Sequence, residues 1–257
     1  AFARRQQHAR EISTITFHNY PESACGGHRP TIADLLSVRD ERSEQVAADA
    51  VVAAGKLDHV PAIIDETNSA VCWGAPGTSN VYASALWSLD YTLLLAQAGL
   101  NEVNFQGRIA GCTPYSPLCT VGRGRDLVAQ PDFYGLLASL QVRPGSFLKL
   151  TNTDRGTLRA YAVQSSRGSL SVVLDNPGGP ITVALHLPPR GYRTGSETTL
   201  KTSSDRGLTA TSGITLGGEQ INSNGVLPAP RYRPIALRSD SVTVPVNADT
   251  AVILRIR

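Results

Sequence analysis

Methionine is missing from all 257 residues. Ala1 is therefore not a translation start, and the chain reads as processed, trimmed or a piece of something longer. No apolar run nears the roughly eighteen residues of a membrane-spanning helix, so no span is expected. The opening Ala1-Phe2-Ala3-Arg4-Arg5 runs straight into polar residues and lacks the apolar stretch of a signal peptide. An excess of one charge is missing too: 24 Lys and Arg against 21 Asp and Glu leave +3. With no basic block, nucleic acid is not an expected partner.

Cysteine is scarce, and no CxxC pair occurs. Zinc wants four ligands at tight spacing, so no metal is expected. Cys112 and Cys119 flank a proline-containing loop and can close it. Cys25 and Cys72 each follow a strand on one rim and can pair; four buried free thiols are the alternative. Bridges would imply an oxidising compartment, secreted or periplasmic.

What is present centres on Val60-Pro61-Ala62-Ile63-Ile64-Asp65-Glu66-Thr67-Asn68-Ser69. Ala62 to Ile64 read as a strand buried on both faces, of the parallel-sheet kind. Two carboxylates end it, where barrels of alternating strands and helices place their chemistry. Strict alternation sends Asp65 and Glu66 to opposite sides. A strand end whose acids are solvated or cap the next turn is the plainer reading.

Around this run the first half alternates. Ile12 to Phe17 is a strand ending in His18-Asn19-Tyr20-Pro21. Thr31 to Asp34 fits a capping box. Ser43 to Ala54 has helical spacing with Gly55 as its stop. A helix of about twenty residues follows Thr78 or Ser79 as cap and closes at Gly99. Val103 to Gln106 is a third strand, followed by a long loop, and Pro131 opens a further helix. Strand–helix alternation predicts parallel βαβ units. Three strands do not close a barrel, so these are read as the last three of eight.

After Arg143-Pro144-Gly145 the texture changes to short alternating runs: Phe147–Leu150, Leu158–Val163, Leu170–Leu174, Ile181–Leu187, Val242–Val246 and Ala251–Ile256. Turn residues separate them, as in an antiparallel sandwich. The expected fold is thus α/β plus all-β. Residues 1–145 form the C-terminal part of a (β/α)8 TIM barrel, and residues 146–257 a β-sandwich. Tyr192, Tyr232 and the sandwich arginines are either a sugar-binding face or scattered surface residues.

The stretch Asp65-Glu66-Thr67-Asn68-Ser69, followed by Gly74-Ala75-Pro76 and a helix carrying Ala85-Leu86-Trp87-Ser88-Leu89-Asp90-Tyr91, resembles glycoside hydrolase family 79. This is the family of the β-glucuronidases and heparanase, built as a (β/α)8 barrel followed by a β-sandwich. The likeness also takes in His18-Asn19-Tyr20, Asn104-Phe105-Gln106-Gly107, Gly111, Tyr115-Ser116-Pro117, Leu216-Gly217-Gly218 and Asn224-Gly225. It implies a retaining glycosidase acting on glucuronic-acid-containing carbohydrate, with Glu66 as nucleophile. It implies further that His18 and Tyr20 form a wall beside Glu66, that Gln106 meets a sugar hydroxyl, and that Gly111 and Tyr115 hold the uronate carboxylate.

Retaining chemistry needs a second carboxyl about 5–5.5 Å from the first and no cofactor. Asn101-Glu102 imitates the family's acid/base pair but begins a strand, on the opposite face. Glu22 sits in a rim loop without supporting context. The proton donor is therefore expected outside this chain, in the missing N-terminal barrel half, on the same precursor or on a second chain. Where the family often has tyrosine five residues past the nucleophile, this chain has Val71, with Cys72 and Trp73 behind it, which bears on sugar specificity. The competing readings are a non-catalytic carbohydrate-binding or structural remnant, and a barrel glycosidase for a different sugar.

Overall fold

The computed structural model describes residues 12–122, 126–151, 156–238 and 240–257; Arg4, Arg5 and Arg123 lie outside them. The first half runs β1 (Ile15–Asn19), β2 (Glu22–Ser23), α1 (Ile32–Leu35), α2 (Val38–Asp58), β3 (Ala62–Thr67) and β4 (Ala70–Val71). It continues with α3 (Tyr82–Ala98), β5 (Glu102–Phe105), β6 (Leu118–Val121), β7 (Asp126–Ala129) and α4 (Pro131–Ser139). β1, β3 and β5 form a parallel three-stranded sheet in that order, open rather than closed into a barrel. The short β2 and β4 pair in parallel just past its carboxyl ends.

The capping box at Thr31 forms as its residue types require: the Asp34 amide donates to the Thr31 hydroxyl while the Asp34 carboxylate accepts from the Thr31 amide. Gly55, by contrast, does not end its helix. α2 continues to Asp58 and is capped by His59 in the left-handed region at φ 56°. Gly55 is needed for closeness, because a Cβ there would stand 2.8 Å from the Val60 carbonyl. Neither Thr78 nor Ser79 caps α3, which begins after Val81. Their hydroxyls are engaged elsewhere: Thr78 donates to the Pro30 carbonyl, and Ser79 accepts from Ser69 and the Ala75 amide. The long loop after β5 is not irregular throughout, since β6 and β7 form an antiparallel hairpin inside it.

The second half contains β8 (Ser146–Phe147), β9 (Arg159–Gln164), β10 (Leu170–Asn176), β11 (Ile181–His186) and β12 (Gly195–Thr202). It ends with β13 (Ile214–Leu216), β14 (Arg233–Ile235), β15 (Ser241–Val246) and β16 (Thr250–Ile256). Seven of these make one antiparallel sheet, ordered β13-β12-β16-β10-β9-β8 with β14 beside β12; β11 and β15 pair separately. The strand expected at Phe147–Leu150 shrinks to Ser146–Phe147. β12, β13 and β14 were not legible, because Gly195-Ser196-Glu197-Thr198-Thr199 and Arg233-Pro234-Ile235 carry too few apolar residues to alternate.

The core explains how the two halves hold together. One apolar cluster fills the space between α2, the parallel sheet and α3, using Ile64, Trp87, Tyr91 and Leu95. A second joins α3 and α4 to the large sheet through Tyr82, Leu86, Leu89, Val173, Leu200 and Ile253. A third packs that sheet's other face on β11 and β15. α3 is thus buried on opposite sides, which is why its sequence is apolar around the whole circumference and not along one stripe.

Candidate active site

Three strand ends and one loop converge at the carboxyl edge of the parallel sheet. Between β1 and β3 the register passes from Phe17–Ile64 directly to His18–Glu66. Between β3 and β5 it passes from Ile64–Val103 to Thr67–Phe105. β3 therefore carries one residue more than either neighbour at Asp65-Glu66, a β-bulge of the sort that re-aims side chains at barrel rims. This corrects the expectation that the two acids face opposite ways. The His18 ring lies 3.6 Å from Glu66 Oε2 through Nδ1 and 3.7 Å from Asp65 Oδ1 through Nε2.

Glu66 is the more enclosed of the two carboxylates, with its side chain 33 % exposed against 38 % for Asp65. The Tyr20 hydroxyl donates to Glu66 Oε1 at 2.7 Å. Burial, and then this bond, push the Tyr20 phenol well above its usual range, so it stays a donor at any working pH. The Tyr115 ring lies 6.3 Å from that of Tyr20 and 6.1 Å from that of Trp73, on which it stacks. Burial raises the Tyr115 phenol too, and the Glu66 charge adds to it. The result is a carboxylate with one oxygen held by a phenol, the other facing imidazole, and a run of three aromatic rings alongside.

The polar residues after Glu66 hold this edge in register. Thr67 Oγ1 and Tyr91 OH are 2.9 Å apart, and Asn19 Nδ2 donates to the same phenol at 3.0 Å, so α3 pins the ends of β1 and β3. Buried Asn68 donates from Nδ2 to the carbonyls of Gln106 and Tyr115, at 2.8 and 2.7 Å. That fixes the Tyr115 loop against the end of β3. Gly74 permits the approach: it sits at φ 82°, and a Cβ there would be 2.9 Å from the Tyr115 amide. Disulfides tie both walls, Cys25 to Cys72 beside Trp73, and Cys112 to Cys119 around the Tyr115 loop.

Of the residues singled out in the sequence, the structure brings Glu66, His18, Tyr20 and Tyr115 together. Gln106 follows the end of β5 and reaches the cluster through its backbone, its amide donating to the Thr67 carbonyl. Gly111 is exposed, at φ 86°, next to the Cys112 bridge. Arg108 is likewise exposed, with its amide on Ser116 Oγ. Glu102 begins β5 at the far edge, where Asn101 Oδ1 accepts from the Ala62 amide. Trp73 and Asn68 were not assigned site roles from sequence. Trp73 was legible only as a large aromatic in a turn, and its positive φ of 72° became visible with the fold.

This arrangement, a parallel sheet backed by an antiparallel sandwich, is matched by solved structures of glycoside hydrolases. The 4-O-α-L-rhamnosyl-β-D-glucuronidase of Fusarium oxysporum 12S superposes with a TM-score of 0.74 at 21 % identity, over 93 % of this chain and 52 % of that one. The GH51 arabinofuranosidase of Xanthomonas axonopodis pv. citri does so at 0.66 and 13 % identity, over 100 % of this chain and 55 % of the other. Among curated proteins, a β-glucuronidase of Aspergillus niger is 25 % identical over 180 residues, 65 % of this chain and 32 % of the relative. The resemblance to β-glucuronidases read from sequence is borne out by that match. No family model matches the chain. The chain spans about a third of the length of its curated relative and about half that of the solved structures.

Proposed function

We propose that this chain is the C-terminal portion of a retaining β-glucuronidase-like glycoside hydrolase, with Glu66 as its nucleophile. The observation that carries the reading is the Tyr20 hydroxyl bonded to Glu66 Oε1 at the carboxyl edge of the sheet, in a chain similar to a β-glucuronidase. The donated bond orients one carboxylate oxygen and leaves Oε2 to attack an anomeric carbon. A protonated carboxyl about 5–5.5 Å away then assists the leaving oxygen, and later activates water. In this reading it comes from the N-terminal half of the barrel, of which β1, β3 and β5 are the last three strands. Residues 1–145 belong to the barrel and 146–257 to the sandwich. The two disulfides fit an oxidising, extracytoplasmic setting; no helix among the described residues is long and apolar enough to cross a membrane.

Labelling the full-length protein with a cyclophellitol-type glucuronide mimic tests this directly. Mass spectrometry should place the label on Glu66, and Glu66→Gln should lower aryl β-D-glucuronide hydrolysis by on the order of 10³-fold or more. An active Glu66→Gln variant would overturn the assignment, and absence of any label or turnover would favour a non-catalytic remnant. A second sugar is favoured by two features: Val71 stands where the resembled family often has tyrosine, and Gly111 lies exposed. Aryl α-L-arabinofuranosides beside the glucuronides separate the two, since arabinofuranosidases share the fold.

A further inference from the structure

The sandwich carries a cavity of about 620 Å³ that has nothing to do with Glu66. Four arginines from four chain segments line it: Arg143 after α4, Arg167 in the β9–β10 turn, Arg190 between β11 and β12, and Arg257 after β16. Tyr192 joins them, and neither Asp nor Glu lines the space. Some arginines elsewhere in the protein are held by carboxylates. Arg231 pairs with Glu219, Arg233 with Glu197, and Arg159 with Asp90 and Glu41. Among the described residues, none of the four cavity arginines has such a pair.

A smaller cavity shares Arg257 and extends the basic surface to Arg255, whose guanidinium lies 4.1 Å over the Tyr232 ring. Burial holds Arg255 below its usual range, and repulsion from Arg143 and Arg257 adds to this, so these cations are close enough to feel one another. Like charges gathered in a concavity raise the local potential and are relieved by a bound anion. Guanidinium forks match planar or tetrahedral oxyanions with paired hydrogen bonds.

We propose that this arginine-lined cavity is a second, non-catalytic binding site for an acidic polysaccharide. Its size lies within the range of ligand pockets, enough for one or two sugar units. A membrane surface would want apolar side chains among the cations, and a nucleic acid a longer basic track with several stacking rings; neither is present in this recess. That the anion is a glycan carboxylate or sulfate rests on the glucuronidase reading above. In that setting the site grips the chain of a polymer while its end or branch is processed at the barrel.

The test is titration of the full-length protein with polyglucuronate and, separately, with heparin, followed by fluorescence anisotropy across a salt series. Changing Arg143, Arg167, Arg190 and Arg257 to Gln together should weaken binding at least tenfold and flatten the salt slope by about three. Exposed Arg167→Gln with Arg190→Gln, the pair least able to disturb folding, should weaken it at least threefold. Tighter binding of polyglucuronate assigns carboxylate, and of heparin sulfate. The control is R231Q with R233Q, whose arginines are already paired, and it should bind as wild type. Unchanged binding in the cavity variants, an equal loss in the control, or tighter binding of poly(dT) or phosphatidylserine vesicles overturns the proposal. Aryl glucuronide turnover should be unchanged by the cavity variants; if Glu66→Gln fails to abolish turnover, the nucleophile assignment falls while the binding comparison still reads the cavity.

Discussion

At the scale of single residues, Tyr20 and Glu22 carry the sharpest consequences. A hydrogen bond to a charged acceptor contributes about 1.5–3 kcal/mol. If Tyr20 holds the nucleophile oxygen, Tyr20→Phe should lower kcat by roughly 10- to 100-fold, with KM little changed, measured on an aryl glucuronide. Glu22 sits almost buried beside Asp40 and Arg39. Burial, and then its bond to Asp40, push its carboxyl up to about 7. The folded protein therefore holds a proton that the unfolded chain has lost above its ordinary value near 4.3. Stability contributed by this group is full below that value and falls as pH rises to about 7. Glu22→Gln should remove that decline, seen as a smaller drop in Tm between pH 4.5 and 8. Glu66 was singled out in sequence by the likeness of its run of neighbours to a family, with His18 and Tyr20 set beside it. The sharing of His18 between Glu66 and Asp65 was not legible, because a one-residue bulge overrides the alternation on which a linear reading relies.

At the scale of elements, the contact between α3 and α4 shows what periodicity leaves out. Gly135 lies at their crossing, and a Cβ there would collide with the Ala85 carbonyl and the Ser88 hydroxyl. Ser88 Oγ donates to the Asp132 carbonyl across the same gap at 2.7 Å. Gly135→Ala should destabilise the protein by about 1–3 kcal/mol through overpacking, read as a lower denaturation midpoint at unchanged m-value. Both helices were visible in sequence, one from its leucines and the other from Pro131. The backbone distance that demands glycine was not, since nothing local to either helix reports on the other. The same holds for Gly55, which resembles a helix stop by composition and is instead a point of close approach to the turn before β3.

At the scale of the whole molecule, one buried network joins sandwich to helices. Arg159 on β9 reaches Asp90 of α3 at 3.0 Å, Glu41 of α2 at 3.3 Å and the Leu36 carbonyl at 2.7 Å. Tyr161 donates to Asp90 at 2.6 Å. Removing one partner of a buried ion pair strands the other, at a cost of about 3–5 kcal/mol. Arg159→Ala should therefore lower unfolding free energy by that amount, and chemical denaturation should show it. If the network joins two cooperative units, the variant should also split the transition into two phases.

The amino-acid order alone determined the alternation of strand and helix before residue 145, the β-rich texture after it, the acidic strand end and the likeness to β-glucuronidases. Those features are local: hydrophobic period, turn chemistry and a short run of adjacent residues suffice to write them. The fold decided which acid meets the tyrosine, which glycines mark contacts, and that arginines far apart in sequence share one recess. Each of those depends on distances between segments that do not neighbour one another along the chain, and packing, not propensity, sets such distances.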